Sequence, residues 1–346
     1  MRLKFSIGLI FVAFVYSSGW FIASEWVKAE IKVFADNAGM TNGDIKLNYE
    51  SLERSGFPFA LNWHIINPKI EMEFLDFNVR TLARKITLSI QPFDAQSIFA
   101  KSQKSTIFLI NKKRKLKLKT KLNTSRFQFS VDPDNVVHTH FTTENFSLYK
   151  AVIGNTDEEW QEVLGTKNFS GNIQIPRNEK IIQHHTEHPF SFLMTDILLP
   201  TKNILRVKRL DRLFGTMNLR GKLGKFSPTD LITWRDNGGV LDIEKIQLDK
   251  GQYNLEFQGT LALDAALKPM GAGTVTFTGL DFFLAKQEQA GKLTKSQVRL
   301  AKLAIHLISK PSNKNGIKIT RLPITAQNGE LRVGSFRLFD LPGFIR

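Results

Sequence analysis

Twenty consecutive residues without a charge, Phe5 to Ser24 (FSIGLIFVAFVYSSGWFIAS), lie between Lys4 and Glu25. A helix of that length rises about 30 Å, the thickness of a bilayer's hydrocarbon core. Lipid offers the backbone no hydrogen bonds, so a single span has to be helical. Arg2 and Lys4 precede the stretch, and the first four residues carry no acid. The positive-inside tendency then keeps Met1 in the cytoplasm and sends everything after Glu25 across. A cleaved signal peptide fits the same residues, with Ile7 to Tyr16 as its apolar region and Ser17 and Gly19 as the small residues at cleavage. Apolar character that continues through Trp20, Phe21 and Ile22 favours the retained anchor, as do Trp20 and Trp26 at the far boundary. The helix is expected to run on through Trp26, Ala29, Ile31, Val33 and Phe34 to about Ala38, with Gly39 as its stop.

The rest of the 346-residue chain has the composition of a folded body. Apolar residues make up 42%, enough for a core, and 28 of them are Phe, a residue suited to strands. The absence of cysteine excludes disulfides, thiolate metal sites and a cysteine nucleophile. The net charge of +16 is unevenly placed: Lys101 to Arg126 holds ten basic residues and no acid. Such a patch suits nucleic acid, anionic lipid or a phosphate-rich polymer. A body outside the cytoplasm makes nucleic acid a poor partner, and no RNP, zinc-finger or helix-turn-helix signature is present.

After the helix the apolar period changes to two. Ile45, Leu47 and Tyr49 alternate with polar residues, then Leu61, Trp63 and Ile65, then Ile86, Leu88 and Ile90. Thr106 to Ile110 reads as a short strand closed by Asn111-Lys112. Phe127, Phe129 and Val131 lead into the turn Asp132-Pro133-Asp134-Asn135. Thr156 and Glu159 are spaced as a capping box, which predicts a short helix from Trp160 to Leu164 with Gly165 past its end. Further strands are expected over 171–176 and 190–199. Ser227-Pro228 opens a short helix ending near Trp234. Tyr253, Leu255 and Phe257 read as one strand, and Leu261 and Leu263 as another. Lys295 to Ser309 is the longest helix expected in the body, with Val298, Leu300, Ala301, Leu303, Ala304 and Leu307 as its apolar stripe. A glycine-bounded echo links 251–263 to 329–338 and reads either as a repeated hairpin or as the likeness that any two hairpins share.

The organisation this predicts is a membrane anchor over 1–24, a helical extension over 25–39, and a β-rich body whose two parts cover 40–155 and 156–346. The fold class is mainly β: a long curved antiparallel meandering sheet with a few short helices, preceded by one N-terminal transmembrane helix.

Several turn and strand-end motifs carry a family resemblance. They include Gly56-Phe57-Pro58-Phe59, Trp234 followed by Gly238-Gly239, and Gln258-Gly259-Thr260-Leu261-Ala262-Leu263-Asp264. Pro269, Gly271, Asn328-Gly329-Glu330-Leu331 and Leu341-Pro342 complete the pattern. The chain resembles the uncharacterised bacterial family catalogued as domain of unknown function 2125. That family is distantly similar to AsmA-type envelope proteins, which carry β-rich bodies on one N-terminal helix in the periplasm. The resemblance implies an inner-membrane location and a link to lipid handling and outer-membrane assembly. Its motifs are structural, so it implies no catalytic residue.

Three groups of residues are candidate sites. Lys112, Lys113, Arg114, Lys115, Lys117, Lys119 and Lys121 form a basic run in which the last four lysines alternate with Leu116, Leu118 and Leu122. In a strand those lysines share one face. They read as a contact for anionic lipid headgroups or lipopolysaccharide phosphates, or as a solvated, lysine-guarded edge. Phe57, Phe59 and Trp63, with Tyr253, Leu255 and Phe257, are expected to line an apolar groove. His184, His185 and His188 have the spacing of a helical metal pair, but Pro189 ends any helix there. Solvated loop histidines are the expectation there, whereas His138 and His140, two apart, share one face of a strand, with a paired metal ligand as the minor reading. No nucleophile elbow, phosphate loop or dinucleotide fingerprint stands in a strand-to-helix setting. The expected protein is therefore not an enzyme and has no cofactor. It binds or transfers lipid or another amphiphile in envelope maintenance. The alternative is a non-enzymatic scaffold or assembly factor for other envelope proteins.

Overall fold

The computed structural model describes residues 2–37, 45–74, 77–91, 94–111, 116–153, 158–176, 186–200, 207–222, 228–308, 312–314 and 317–341. Strand makes up 65% of it, so the mainly β expectation holds. The strands belong to one antiparallel sheet of 19. The chain divides into two compact units, one of residues 1–132 and 148–161, the other of residues 133–147 and 162–346.

The first unit opens with helix α1 (Arg2–Asn37), followed by β1 (Lys46–Asn48), β2 (Ser51–Ser55), β3 (Leu61–Ile66) and β4 (Lys69–Phe74). Then come β5 (Phe77–Leu82), β6 (Lys85–Gln91), β7 (Asp94–Asn111) and β8 (Leu116–Val131). Among the residues whose side chains are described, which in α1 begin at Val15, no helix is long and apolar enough to cross a membrane. The ladder skips along the chain: β3 pairs with β6, β1 with β4, and both β5 and β6 lie against the long β7. One face carries the aligned series Trp63, Leu88, Ala100 and Phe127. Helix α1 lies on that face. Its Trp20 packs with Leu61 and Trp63, and Val27 and Ile31 extend the contact. Trp63 is 2% exposed, the most deeply buried large apolar side chain of this unit.

Simple alternation fails within β7. Lys104 has φ 48°, the left-handed region, and the Ser102 and Ser105 hydroxyls hydrogen-bond to each other although they are three positions apart, an odd offset that in a regular strand puts side chains on opposite faces. The left-handed residue offsets the alternation by one, so Ile107 and Leu109 continue the side on which Ile98 and Ala100 stand.

The second unit takes up parts of β9 (Val136–Ile153) and β10 (Glu158–Pro176), then β11 (Glu187–Leu198), β12 (Arg209–Arg220) and helix α2 (Pro228–Asp236). It continues with β13 (Val240–Lys250), β14 (Tyr253–Leu263), β15 (Pro269–Thr278), α3 (Leu280–Gln289) and α4 (Lys295–Ile308). It closes with β16 (Ser312–Lys314), β17 (Ile317–Gln327), β18 (Glu330–Val333) and β19 (Phe336–Asp340). Neighbours pair in sequence order from β10 to β15. There β15 passes over the helices to β17. Helix α4 follows its expected course to Ile308, with Ser309 outside the described residues, and is the longest helix among the described residues of the body. A reciprocal cap opens it: the Gln297 amide donates to Thr294 Oγ1 (3.2 Å), and the Thr294 amide donates to Gln297 Oε1 (2.9 Å).

The structure corrects several expectations. Strands β7 to β10 run 16 to 19 residues rather than the short lengths that turn signals suggested. The helix expected over Trp160 to Leu164 is strand, part of β10; Thr156, the cap residue, lies outside the described residues. A cap supplies only about 1 kcal/mol, and the ladder of β10 with β9 and, from Gly165 on, with β11 outweighs it. Residues 253–263 form one strand, whereas Glu330–Val333 and Phe336–Asp340 form a hairpin, so the sequence echo is not a structural repeat. Helix α3 was not expected. The residues around Ala38 and Gly39 lie outside the described residues.

Candidate functional site

In the second unit, register alone sorts side chains into an apolar and a polar face. Phe192, Gly215, Ile246, Phe257, Val275 and Leu322 stand opposite one another across six strands. The adjacent row is Phe190, Met217, Ile243, Gly259, Gly273, Ile324 and Val333. A bulge in β13 near Glu244 adds one residue yet leaves Ile243 and Ile246 on the same face, because Met217 and Gly215 still oppose them. Rows of the other face read Asn218, Asp242, Thr260, Ala272, Thr325 and Arg332. Thr260 Oγ1 donates to Asp242 Oδ1 at 2.9 Å, and Arg220 pairs with Asp242.

Glycines let aromatic rings lie flat on the apolar face. A Cβ on Gly215 would stand 2.4 Å from the Phe192 ring, and one on Gly273 would stand 2.5 Å from the Phe257 ring. Both rings therefore cover the backbone of the neighbouring strand instead of projecting away from it.

Helices cover the two ends of this face. At the Leu263 end, Trp234 of α2 packs on Leu219, Leu263 and Leu267, and its Nε1 donates to the Arg220 carbonyl (2.7 Å). At the Tyr253 end, Phe283 of α3 meets Tyr253 edge-on (centroids 5.5 Å) and Phe277 (5.8 Å). Between the helices Phe190, Phe192, Ile246, Phe257, Val275, Leu322 and Ile324 are all only half-buried. Along β14 the distance from Tyr253 to Leu263 is about 33 Å.

The expected groove residues divide between the units. Tyr253, Leu255 and Phe257 stand on the apolar face of the second unit, with Tyr253 under α3. Phe57, Phe59 and Trp63 belong to the first unit, where Trp63 is a filled core position beneath α1 while Phe57 and Phe59 are 48% and 80% exposed. The glycines under the rings were not singled out from the sequence. Their signal, Gly271-Ala272-Gly273 inside a strand-like run, is visible only in hindsight of the register.

Lys112, Lys113, Arg114 and Lys115 lie outside the described residues. Lys117, Lys119 and Lys121 stand in β8 opposite Ile110, Phe108 and Thr106 of β7. Lys119 Nζ is 4.2 Å from the Trp160 ring centroid and 5.2 Å from that of Tyr149; Lys121 Nζ is 5.5 Å from Tyr149. Phe108 completes the cluster edge-on to Trp160 at 6.2 Å. Burial beside these rings, and then repulsion from Lys121, hold the Lys119 ammonium below its ordinary pKa. Cation–π contacts at exposed sites contribute about 0.5–1 kcal/mol each, so the lysine face is an organised aromatic–cationic surface rather than a bare charged edge.

His184 and His185 lie outside the described residues. His188 is buried in strand β11 rather than solvated in a loop, and that burial holds its pKa below the ordinary histidine value. The His140 ring bonds Asn172 Oδ1 (2.7 Å). Among the described residues no three acidic or histidine side chains gather as a metal cage.

A family model described as "Uncharacterized protein conserved in bacteria (DUF2125)" matches residues 20–342. No curated protein matches the chain.

Proposed function

The chain belongs to this DUF2125 family of uncharacterised bacterial proteins, and from that premise we propose that it is a membrane-tethered carrier of acyl chains in the cell envelope. Phe5 to Ser24 spans the inner membrane with the N-terminus in the cytoplasm, and the β-rich body stands in the periplasm. The distant AsmA-type likeness implies the same placement. One observation carries the reading: an apolar sheet face whose central rows remain half-buried between α2 and α3, backed by an opposite face on which polar residues such as Asp242, Glu256, Thr260 and Thr276 predominate. A side chain moved from water to full burial gains about 1.5–3 kcal/mol, so amphiphile chains laid along these rows complete a burial that the fold leaves unfinished.

The test is site-specific photo-crosslinking in living cells. Benzoylphenylalanine replaces Phe192 or Ile324 on the apolar face, and Gln258 or Arg321 on the polar face. Lipid adducts are expected at the first pair and not the second. Equal labelling of both faces, or none at either, removes the carrier reading and leaves the scaffold. The filled core around Trp63 favours that second reading for the first unit.

In the carrier reading the lysine face meets anionic headgroups or lipopolysaccharide phosphates. Replacing Lys115, Lys117, Lys119 and Lys121 by Gln is expected to weaken binding to phosphatidylglycerol vesicles and flatten its salt dependence. Co-sedimentation measures this, and unchanged binding at low salt makes the face a soluble edge only.

A further inference from the structure

We infer that the turn between β2 and β3 is a wedge that inserts into the outer leaflet of the membrane beside α1. The inference rests on the reading of Phe5 to Ser24 as the span. The bilayer core needs about 20 apolar residues of helix, and this stretch offers no surplus. Its outer part is nevertheless fastened to the body. The Tyr16 hydroxyl donates to the Pro58 carbonyl, and Trp20 Nε1 donates to the Ala60 carbonyl at 3.1 Å. Tyr16 lies about 12 Å of helix below Ser24. The turn bonded to Tyr16 must therefore descend into the hydrocarbon with it.

The turn has the chemistry such a position demands. Ser55 to Trp63 contains no charge. Phe59 is 80% exposed and Phe57 48%, and Val15, Phe21 and Ile22 on the adjoining helix are 53%, 47% and 71% exposed, with the Phe57 and Phe21 rings 6.2 Å apart. Phe57 stacks edge-on against Trp20 with centroids 5.3 Å apart. A water-facing turn satisfies its backbone with solvent, whereas a lipid-facing one has to do so internally. Here the Ala60 amide donates to the Gly56 carbonyl (2.8 Å), Pro58 has no amide hydrogen, and the Pro58 and Ala60 carbonyls accept from α1. Gly56, at φ 101°, supplies the reversal.

A polar collar marks the upper limit. The Arg54 guanidinium lies 4.8 Å from the Phe21 centroid and bonds Ser24 Oγ (3.0 Å) and Glu25 Oε1 (3.1 Å), and Lys28 pairs with Glu25 at 3.6 Å. Arginine carries its charge to the headgroup level while its stem covers aromatic surface. At the level of the wedge a cavity of about 290 Å³ opens between α1 and the sheet, lined by Val15, Gly19, Ala23, Leu61 and Ile90 among others. Its size suits a segment of one acyl chain.

The absence of cysteine makes a depth measurement direct. Single variants Phe59→Cys, Val12→Cys and Gln258→Cys of the full chain carry a nitroxide label in nanodiscs of phosphatidylethanolamine and phosphatidylglycerol. Collisions with oxygen and with a water-soluble nickel chelate then report depth. Position 59 is expected to read as hydrocarbon, together with 12, while 258 reads as water. Water at 59 with hydrocarbon at 12 overturns the wedge and leaves the anchor standing. Water at both positions overturns the anchor, and the wedge with it.

Discussion

Trp63→Ala is expected to destabilise the first unit by about 3–5 kcal/mol, the cost of deleting a fully buried large aromatic. Trp63 is 2% exposed, faces Leu88 in β6, and closes the cluster with Trp20 and Leu61. The indole is the surface on which α1 rests, so a cavity there also loosens the helix from the sheet. Its Nε1 meets no acceptor among the described residues, which adds a second prediction. Trp63→Phe removes that unpaired donor and its desolvation penalty of about 1–3 kcal/mol, so its cost falls well below that of Ala. Denaturant melts of the full chain in detergent, followed by circular dichroism, measure both. A loss below about 1 kcal/mol for Ala contradicts the packed cluster.

Gly273→Val is the second large effect. Gly273 and Gly259 stand opposite each other on β15 and β14. A Cβ at 273 would lie 2.4 Å from the Gln258 carbonyl oxygen and 2.5 Å from the Phe257 ring; one at 259 would lie 2.5 Å from the Ala272 carbonyl oxygen. A ring can turn aside, but a paired strand's carbonyl cannot. Overpacking costs about 1–3 kcal/mol when side chains can yield, and with backbone as the obstacle the loss is expected at or above the top of that range. Gly165→Ala is the control. There the closest atoms belong to the Glu162 side chain at 3.0 Å, and the change is expected to stay within about 0.5 kcal/mol. Thermal melting of the variants compares them. In the photo-crosslinking assay Gly273→Val should also reduce lipid adducts at Ile324, its direct neighbour on β17. Equal stability of Gly273→Val and Gly165→Ala refutes the close approach of the two strands.

Side-chain chemistry that acts over a few residues was legible in the sequence. Val298 and its neighbours gave helix α4 its period, and Pro228 marked the start of α2. Alternation at Trp63, at Leu88 and at Tyr253 to Phe257 marked strands, because successive side chains in a strand point to opposite faces whatever the partner is. The basic run and the Leu–Lys alternation of β8 were equally local. Strand length was not legible. Asn111 and Glu159 carry turn and cap chemistry, yet pairing with β8 keeps β7 extended and pairing with β9 and β11 keeps β10 extended.

The sequence by itself determined a chain of alternating strands behind an uncharged helix, with its basic residues concentrated in one run. Those features follow from covalent periodicity and from the sign of charges, neither of which needs a distant partner. Only the tertiary structure decided what each face meets. The pairing of β3 with β6 and of β15 with β17 spans intervening strands or helices, and loop closure carries no local signal. The left-handed Lys104 resets alternation within one strand, the Phe192 and Phe257 rings settle over glycines of neighbouring strands, and Trp160 comes to lie over Lys119. Trp63 and Phe59, four residues apart and both aromatic, end at 2% and 80% exposure. Period and composition assign them one character; the helix that docks on the first and leaves the second uncovered gives them two different physical roles.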